Sequence, residues 1–115
     1  MEKILIVDDD QTMAGLIKTL LEMDGFIVVQ SKPEQSLIPL VRAEKPDVIL
    51  LDVFLSETDG LDLLAELRAT EDIADTRIIM TSGMDLGEEA SAAGADAFLM
   101  KPHTPEQLIS VIRGD

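Results

Sequence analysis

Five short apolar runs rich in β-branched residues punctuate the chain: Ile4 to Val7, Ile27 to Val29, Val48 to Leu51, Ile78 to Met80 and Ala97 to Met100. None alternates with polar residues, the pattern of strands covered on both faces rather than one. Between them lie longer segments in which apolar residues return every three or four positions. Strands alternating with helices predict repeated βα units around a parallel sheet. The expected fold is α/β: a doubly wound, five-stranded parallel sheet in the order 2-1-3-4-5, with five helices.

The helices can be placed from their stripes and ends. Met13, Leu16, Ile17, Leu20 and Leu21 make the expected buried stripe of the first, which Asp10 caps and Asp24-Gly25 ends. The second, from about Glu34 to Glu44, contains Pro39, so a kink or a late start is expected. Asp59-Gly60 reads as a turn before a third helix marked by Leu63, Leu64 and Leu67. A fourth begins after Asp85, with Glu88 three positions on, and ends near Gly94; it has few large apolar residues and is weakly anchored. The fifth starts with Thr104 as cap, Pro105 at its first position and Gln107 to complete a capping box, and buries Leu108, Ile109 and Ile112.

Composition then excludes several classes. A length of 115 residues suits one module, expected over residues 1–115. With no cysteine, disulfides, thiolate metal sites and thiol nucleophiles are ruled out. No apolar run has the length of a membrane span, and the start does not read as a secretory signal, so the expectation is a cytoplasmic protein without membrane contact. A net charge of -14 opposes direct binding to nucleic acid.

In a parallel α/β sheet the reactive groups gather at the carboxyl ends of the strands. Asp8, Asp9 and Asp10 follow the first strand, Asp52 the third, Ser82-Gly83 the fourth and Lys101-Pro102 the fifth. Strands one and three are neighbours in the expected order, so Asp8, Asp9 and Asp52 should share one pocket. Two unit charges about 4 Å apart repel by roughly 4 kcal/mol at an effective dielectric near 20. Such a cluster calls for a hard divalent cation, with magnesium favoured because it keeps positions open for phosphate oxygens. Lys101 and Ser82 offer a charge and a hydroxyl to a phosphoryl group. Asp52, alone after the most apolar strand, is the candidate nucleophile for covalent phosphoryl transfer.

The motifs Ile4-Leu5-Ile6-Val7-Asp8-Asp9-Asp10, Pro46 to Asp52, Asp59-Gly60-Leu61, Ile78 to Gly83 and Gly94 to Pro102 together resemble the response-regulator receiver domains of two-component signalling. The resemblance covers essentially the whole chain and implies a flavodoxin-like fold. It implies that Asp52 becomes an acylphosphate, taking its phosphoryl group from a histidine kinase or histidine phosphotransfer protein. It further implies that Asp9 binds Mg2+ directly, that Asp8 does so largely through water, and that the carbonyl of Phe54 is another ligand. Lys101 would contact the phosphate, Ser82 would move to it as the switch hydroxyl, and Phe98 would turn inward. The fourth helix, fifth strand and fifth helix would then present a changed face to a downstream protein effector; a homodimer is also open. A cis Lys101-Pro102 bond belongs to the same pattern.

Several positions depart from it. Ser56 replaces a common proline, which suggests a looser loop after Asp52. His103 stands where phenylalanine is frequent and reads as a surface residue. Phe54 and Met84, two beyond Asp52 and Ser82, are apolar and cannot position an attacking water, so slow self-dephosphorylation is expected. Thr81 rivals Ser82 for the switch role. Asp8-Asp9-Asp10-Gln11-Thr12 also reads as the Asp-x-Asp-x-Thr loop of haloacid-dehalogenase-like phosphatases, with Asp8 as nucleophile, but the acidic motif those enzymes need after their lysine has no counterpart. A flavin module of the same fold class would lack Trp or Tyr to stack on its ring. A receiver that only binds partners is opposed by the intact set of Asp8, Asp9, Asp52, Ser82 and Lys101.

Overall fold

All five apolar runs become strands of one parallel sheet in a computed structural model, which describes residues 2–32, 35–55 and 58–114. The elements follow in the order β1 (Lys3–Val7), α1 (Gln11–Met23), β2 (Ile27–Gln30), α2 (Leu37–Glu44), β3 (Val48–Asp52), α3 (Gly60–Ala69), β4 (Arg77–Ser82), α4 (Gly87–Ala93), β5 (Ala97–Met100) and α5 (Pro105–Arg113), with a short 3-10 turn at Glu71–Ile73. The sheet runs β2-β1-β3-β4-β5, the expected order. Among the described residues no helix is long and apolar enough to cross a membrane.

Side-chain alternation along the strands divides the core in two. Ile4, Ile6, Val48, Leu50 and Ile79 pack with Ala14, Ile17 and Leu21 of α1 and Leu108 and Ile112 of α5. Leu5, Val7, Ile49, Leu51, Ile78 and Met80 pack on the other face with Leu37 and Val41 of α2, Leu64 and Leu67 of α3 and Ala90 of α4. The stripe expected on α1 is therefore corrected. Met13 and Leu16 are 44% and 53% exposed, and only Ile17 and Leu21 of that set reach the core, joined by Ala14. The small Ala14 lets the helix approach the sheet, which rotates the Met13–Leu16 edge outward.

The late start of α2 accounts for Pro39. It is the third residue of the helix, inside the first turn, where amide N–H groups have no intrahelical acceptor and a missing donor costs nothing. The expected start near Glu34 and the substitution at Ser56 lie outside the described residues. Two helix starts differ from expectation. Asp59 is not a turn residue but the N-cap of α3, its carboxylate accepting from Leu61 N–H at 2.8 Å. Asp85 does not cap α4; Leu86 occupies that position without a side-chain bond. The capping box of α5 forms as read, with Thr104 Oγ1 accepting from Gln107 N–H and Gln107 Oε1 accepting from Thr104 N–H.

Gly60 ties this scaffold to the site. A Cβ there would lie 2.1 Å from the carbonyl oxygen of Asp52 and 2.8 Å from Val53 Cα. Both obstacles are backbone, so neither can swing away. Gly60→Ala is expected to destabilise the fold by about 3 kcal/mol, near the upper end of overpacking costs; urea unfolding within about 0.5 kcal/mol of the native chain would show that α3 can back away freely.

Candidate phosphoacceptor site

The two-residue period that sorts the core also sorts the polar residues where the strands end. Asp8 continues the register of Ile4 and Ile6, Asp52 that of Val48 and Leu50, and Thr81 that of Ile79, so these side chains gather on the α1/α5 side of the sheet. Lys101 comes up beside them from the end of β5, its N–H donating to the carbonyl of Ser82 at 2.8 Å across a cis bond to Pro102. Its Nζ lies 3.1 Å from Asp8 Oδ2 and 3.1 Å from Asp52 Oδ2, one ammonium bridging two carboxylates that are only 8% and 12% exposed.

The two carboxylates that Lys101 bridges are those of Asp8 and Asp52, and Asp9 stands in the bend that follows β1. Asp9 lines a groove with Ser31, Lys32, Gln35 and Leu55. Among the described residues no three His, Cys, Asp or Glu side chains stand as a metal-holding group. The donors nevertheless fit magnesium, which is commonly held by one or two carboxylates, waters and phosphate oxygens. Asp8 and Asp52 supply a buried and a largely buried carboxylate, both bonded to Lys101, and the amide N–H of Phe54 bonds the Asp52 carboxylate.

Electrostatics mark Asp52 as the unusual member. Burial pushes its carboxyl above the ordinary aspartate range; the hydrogen bond and charge of Lys101 pull it down, Asp8 pushes it up, and the Phe54 amide lowers it. Burial and the Asp8 charge win, so negative charge at Asp52 is under-compensated. For Lys101, burial alone would lower the pKa, but the bonds and charges of Asp52 and Asp8 together raise it, and the ammonium is firmly protonated.

The remaining predicted residues lie just outside this cluster. Ser82 is fully buried at the end of β4, on the face of Met80, with Oγ accepting from Met84 N–H at 3.0 Å. Thr81, its rival, is the hydroxyl that lines the small pocket with Asp8, Asp52 and Lys101. Phe98 is partly buried against the α2–α4 face, close to Gly87 at the start of α4. Phe54 and Met84 are 55% and 58% exposed. Asp10 caps α1 through Met13 N–H at 3.0 Å, an engagement that leaves the phosphatase reading without its acid. Sequence reasoning missed that Asp8 pairs directly with Lys101 and that His103, only partly exposed, has its Nδ1 buried and lines the same small pocket. The only available signal was its place two residues after a site lysine.

A fold of this strand order with two carboxylates and a lysine at the strand ends is the architecture of a phosphoryl-accepting signalling module. The chain belongs to the response regulator receiver domain family, whose model matches residues 4–113. It is 39% identical to the transcriptional regulatory protein CpxR of Klebsiella pneumoniae, over 98% of this chain and 48% of that protein. It is 32% identical to the response regulator MprA of Mycolicibacterium vanbaalenii, over 96% of this chain and 48% of that protein. The chain thus spans about half the length of the curated relatives it matches. Among solved structures, the chemotaxis response regulator CheY4 of Vibrio cholerae superposes with a TM-score of 0.89 at 25% identity, covering 99% of this chain and 98% of that one. The BeF3-activated N-terminal receiver domain of Klebsiella pneumoniae RstA gives 0.86 at 27% identity, covering 96% and 95%. As a receiver domain of two-component systems, it is a phosphoacceptor in signalling.

A carboxyl whose pKa rises on folding binds its proton more tightly in the native state, so stability falls as pH climbs from the ordinary aspartate range through the raised value. In divalent-free buffer, Asp52→Asn should therefore melt above the native chain at pH 7. The gap should narrow as pH is lowered below the ordinary aspartate range. A variant that melts lower at pH 7 would mean Lys101 compensates Asp52 fully.

Proposed function

We propose that Asp52 is the phosphoacceptor and that residues 1–115 form one receiver unit served by a histidine kinase or a histidine phosphotransfer protein in the cytoplasm. The observation that carries this is the single ammonium of Lys101 placed 3.1 Å from both the Asp8 and Asp52 carboxylates. An Asp52 carboxylate oxygen attacks the phosphorus of a phosphohistidine. The O–P bond forms as the P–N bond breaks, and the electron pair leaves on the imidazole nitrogen, which takes up a proton. Lys101 then turns from the Asp52 carboxylate to a phosphoryl oxygen while keeping Asp8. Magnesium, held by Asp8, Asp9, Asp52 and the Phe54 carbonyl, would neutralise the oxygens of the transferring group.

The signal leaves through Ser82. Its Oγ holds Met84 N–H, in the segment that leads into α4. Donating its O–H to a phosphoryl oxygen instead would draw that segment inward, and Phe98 would follow into the space released. The face made by α4, β5 and α5 changes, and a downstream protein reads it.

Incubation with phosphoramidate and Mg2+ should place hydroxylamine-labile phosphate on the native chain and none on Asp52→Asn; equal labelling of Asp52→Asn would move the acceptor elsewhere. Phe54 and Met84, two positions beyond Asp52 and Ser82, are apolar and cannot orient an attacking water. The phosphorylated protein should therefore persist for many minutes at pH 7, and decay within seconds would contradict that reading.

A further inference from the structure

His103 plays no part in the chemistry just described, yet its surroundings are those of a working residue. Its Nδ1 is buried and has no hydrogen-bond partner among the described residues. A buried polar atom left in that state is costly, so a partner is demanded. The imidazole borders a small space of about 10 Å3 whose polar walls are Asp8, Asp52, Thr81 and Lys101 and whose apolar walls include Ile6 and Ile17.

Donor counting on the other side of this space leaves a matching remainder. An ammonium carries three N–H donors. Lys101 uses two, on Asp8 and Asp52. One water needs roughly 10–15 Å3 of such space and two to four polar partners. Burial, together with the charge of Lys101, pushes the His103 imidazole below its ordinary value despite a backbone contact at Thr104 that raises it. The ring is neutral at pH 7, with one nitrogen free to accept.

We propose that His103 is a positioning residue for Lys101: a single water in this space accepts the third N–H of Lys101 and donates to His103 Nδ1. The buried Thr81 hydroxyl gives that water a further neighbour. The chain of bonds fixes the direction of the ammonium, so Lys101 meets an incoming phosphoryl oxygen without first being ordered. This rests on Lys101 serving the phosphoacceptor Asp52.

Two measurements test it on the whole chain. In imidazole 15N NMR, Nδ1 of His103 should resonate as a non-protonated nitrogen shifted by an accepted hydrogen bond; the position of a protonated or an unbonded nitrogen overturns the proposal. In phosphorylation of Asp52 by phosphoramidate and Mg2+, His103→Phe should react about tenfold more slowly, whereas His103→Asn, whose amide oxygen reaches close to the place of Nδ1, should stay within about threefold of the native rate. A native rate in His103→Phe, or an equal loss in both variants, assigns His103 to packing alone. If His103→Phe fails to fold, His103→Asn and the Nδ1 resonance decide. Absence of any phosphate on Asp52 of the native chain would strike the phosphoacceptor reading, and the resonance would still settle whether the bond exists.

Discussion

Two carboxylates side by side at the rim of an apolar sheet are a standing electrostatic cost, and the ammonium of Lys101, 3.1 Å from each, is what lets this fold hold them there. Removing the ammonium would leave both carboxylates unpaired, whereas removing one carboxylate leaves a matched pair. The compensation is incomplete, because burial and Asp8 keep the proton affinity of Asp52 above normal. A site in that condition is poised to take up further positive charge at Asp52. The same lysine can exchange a carboxylate oxygen for a phosphoryl oxygen without losing its second anchor on Asp8. Structure and proposed reactivity thus draw on one contact.

The backbone is arranged to make that contact unavoidable. Parallel pairing puts Asp52 level with Thr81, and Ser82 level with Met100 just before Lys101. Gly60 lets the start of α3 lie directly against the carbonyl of Asp52, where any Cβ would collide. At the opposite end of the sheet Arg68 donates to the carbonyls of Ala74, Thr76 and Gly94 and to Asp96, joining the end of α3 to the end of α4 and the entry to β5. α4 is consequently held at its C-terminal end, while its N-terminal end lacks a side-chain cap and lies near Phe98. A change at Ser82 meets the looser end first.

Most of this was legible in the residues, and the exceptions share a cause. Strand positions and sheet order follow from runs such as Val48 to Leu51, whose burial on both faces leaves no polar alternation. Lys101, Asp8 and Asp52 were legible because strand ends converge whatever the side-chain detail. What did not follow was direction. Met13 and Leu16 were placed in the core because helical spacing locates a stripe without saying which edge of it a small residue such as Ala14 will draw inward. His103 read as a surface residue because nothing local reveals that it lines the same small space as Asp8, Asp52 and Lys101.

The central claim is that Lys101 moves its bond from Asp52 to the group Asp52 accepts. A high-resolution crystal structure of the chain with beryllofluoride and Mg2+ addresses it directly. The account predicts the adduct on Asp52, with Lys101 Nζ bonded to a fluorine and to Asp8. An adduct on Asp8 or Asp9, or a Lys101 that still bridges both carboxylates with no contact to fluoride, would contradict it.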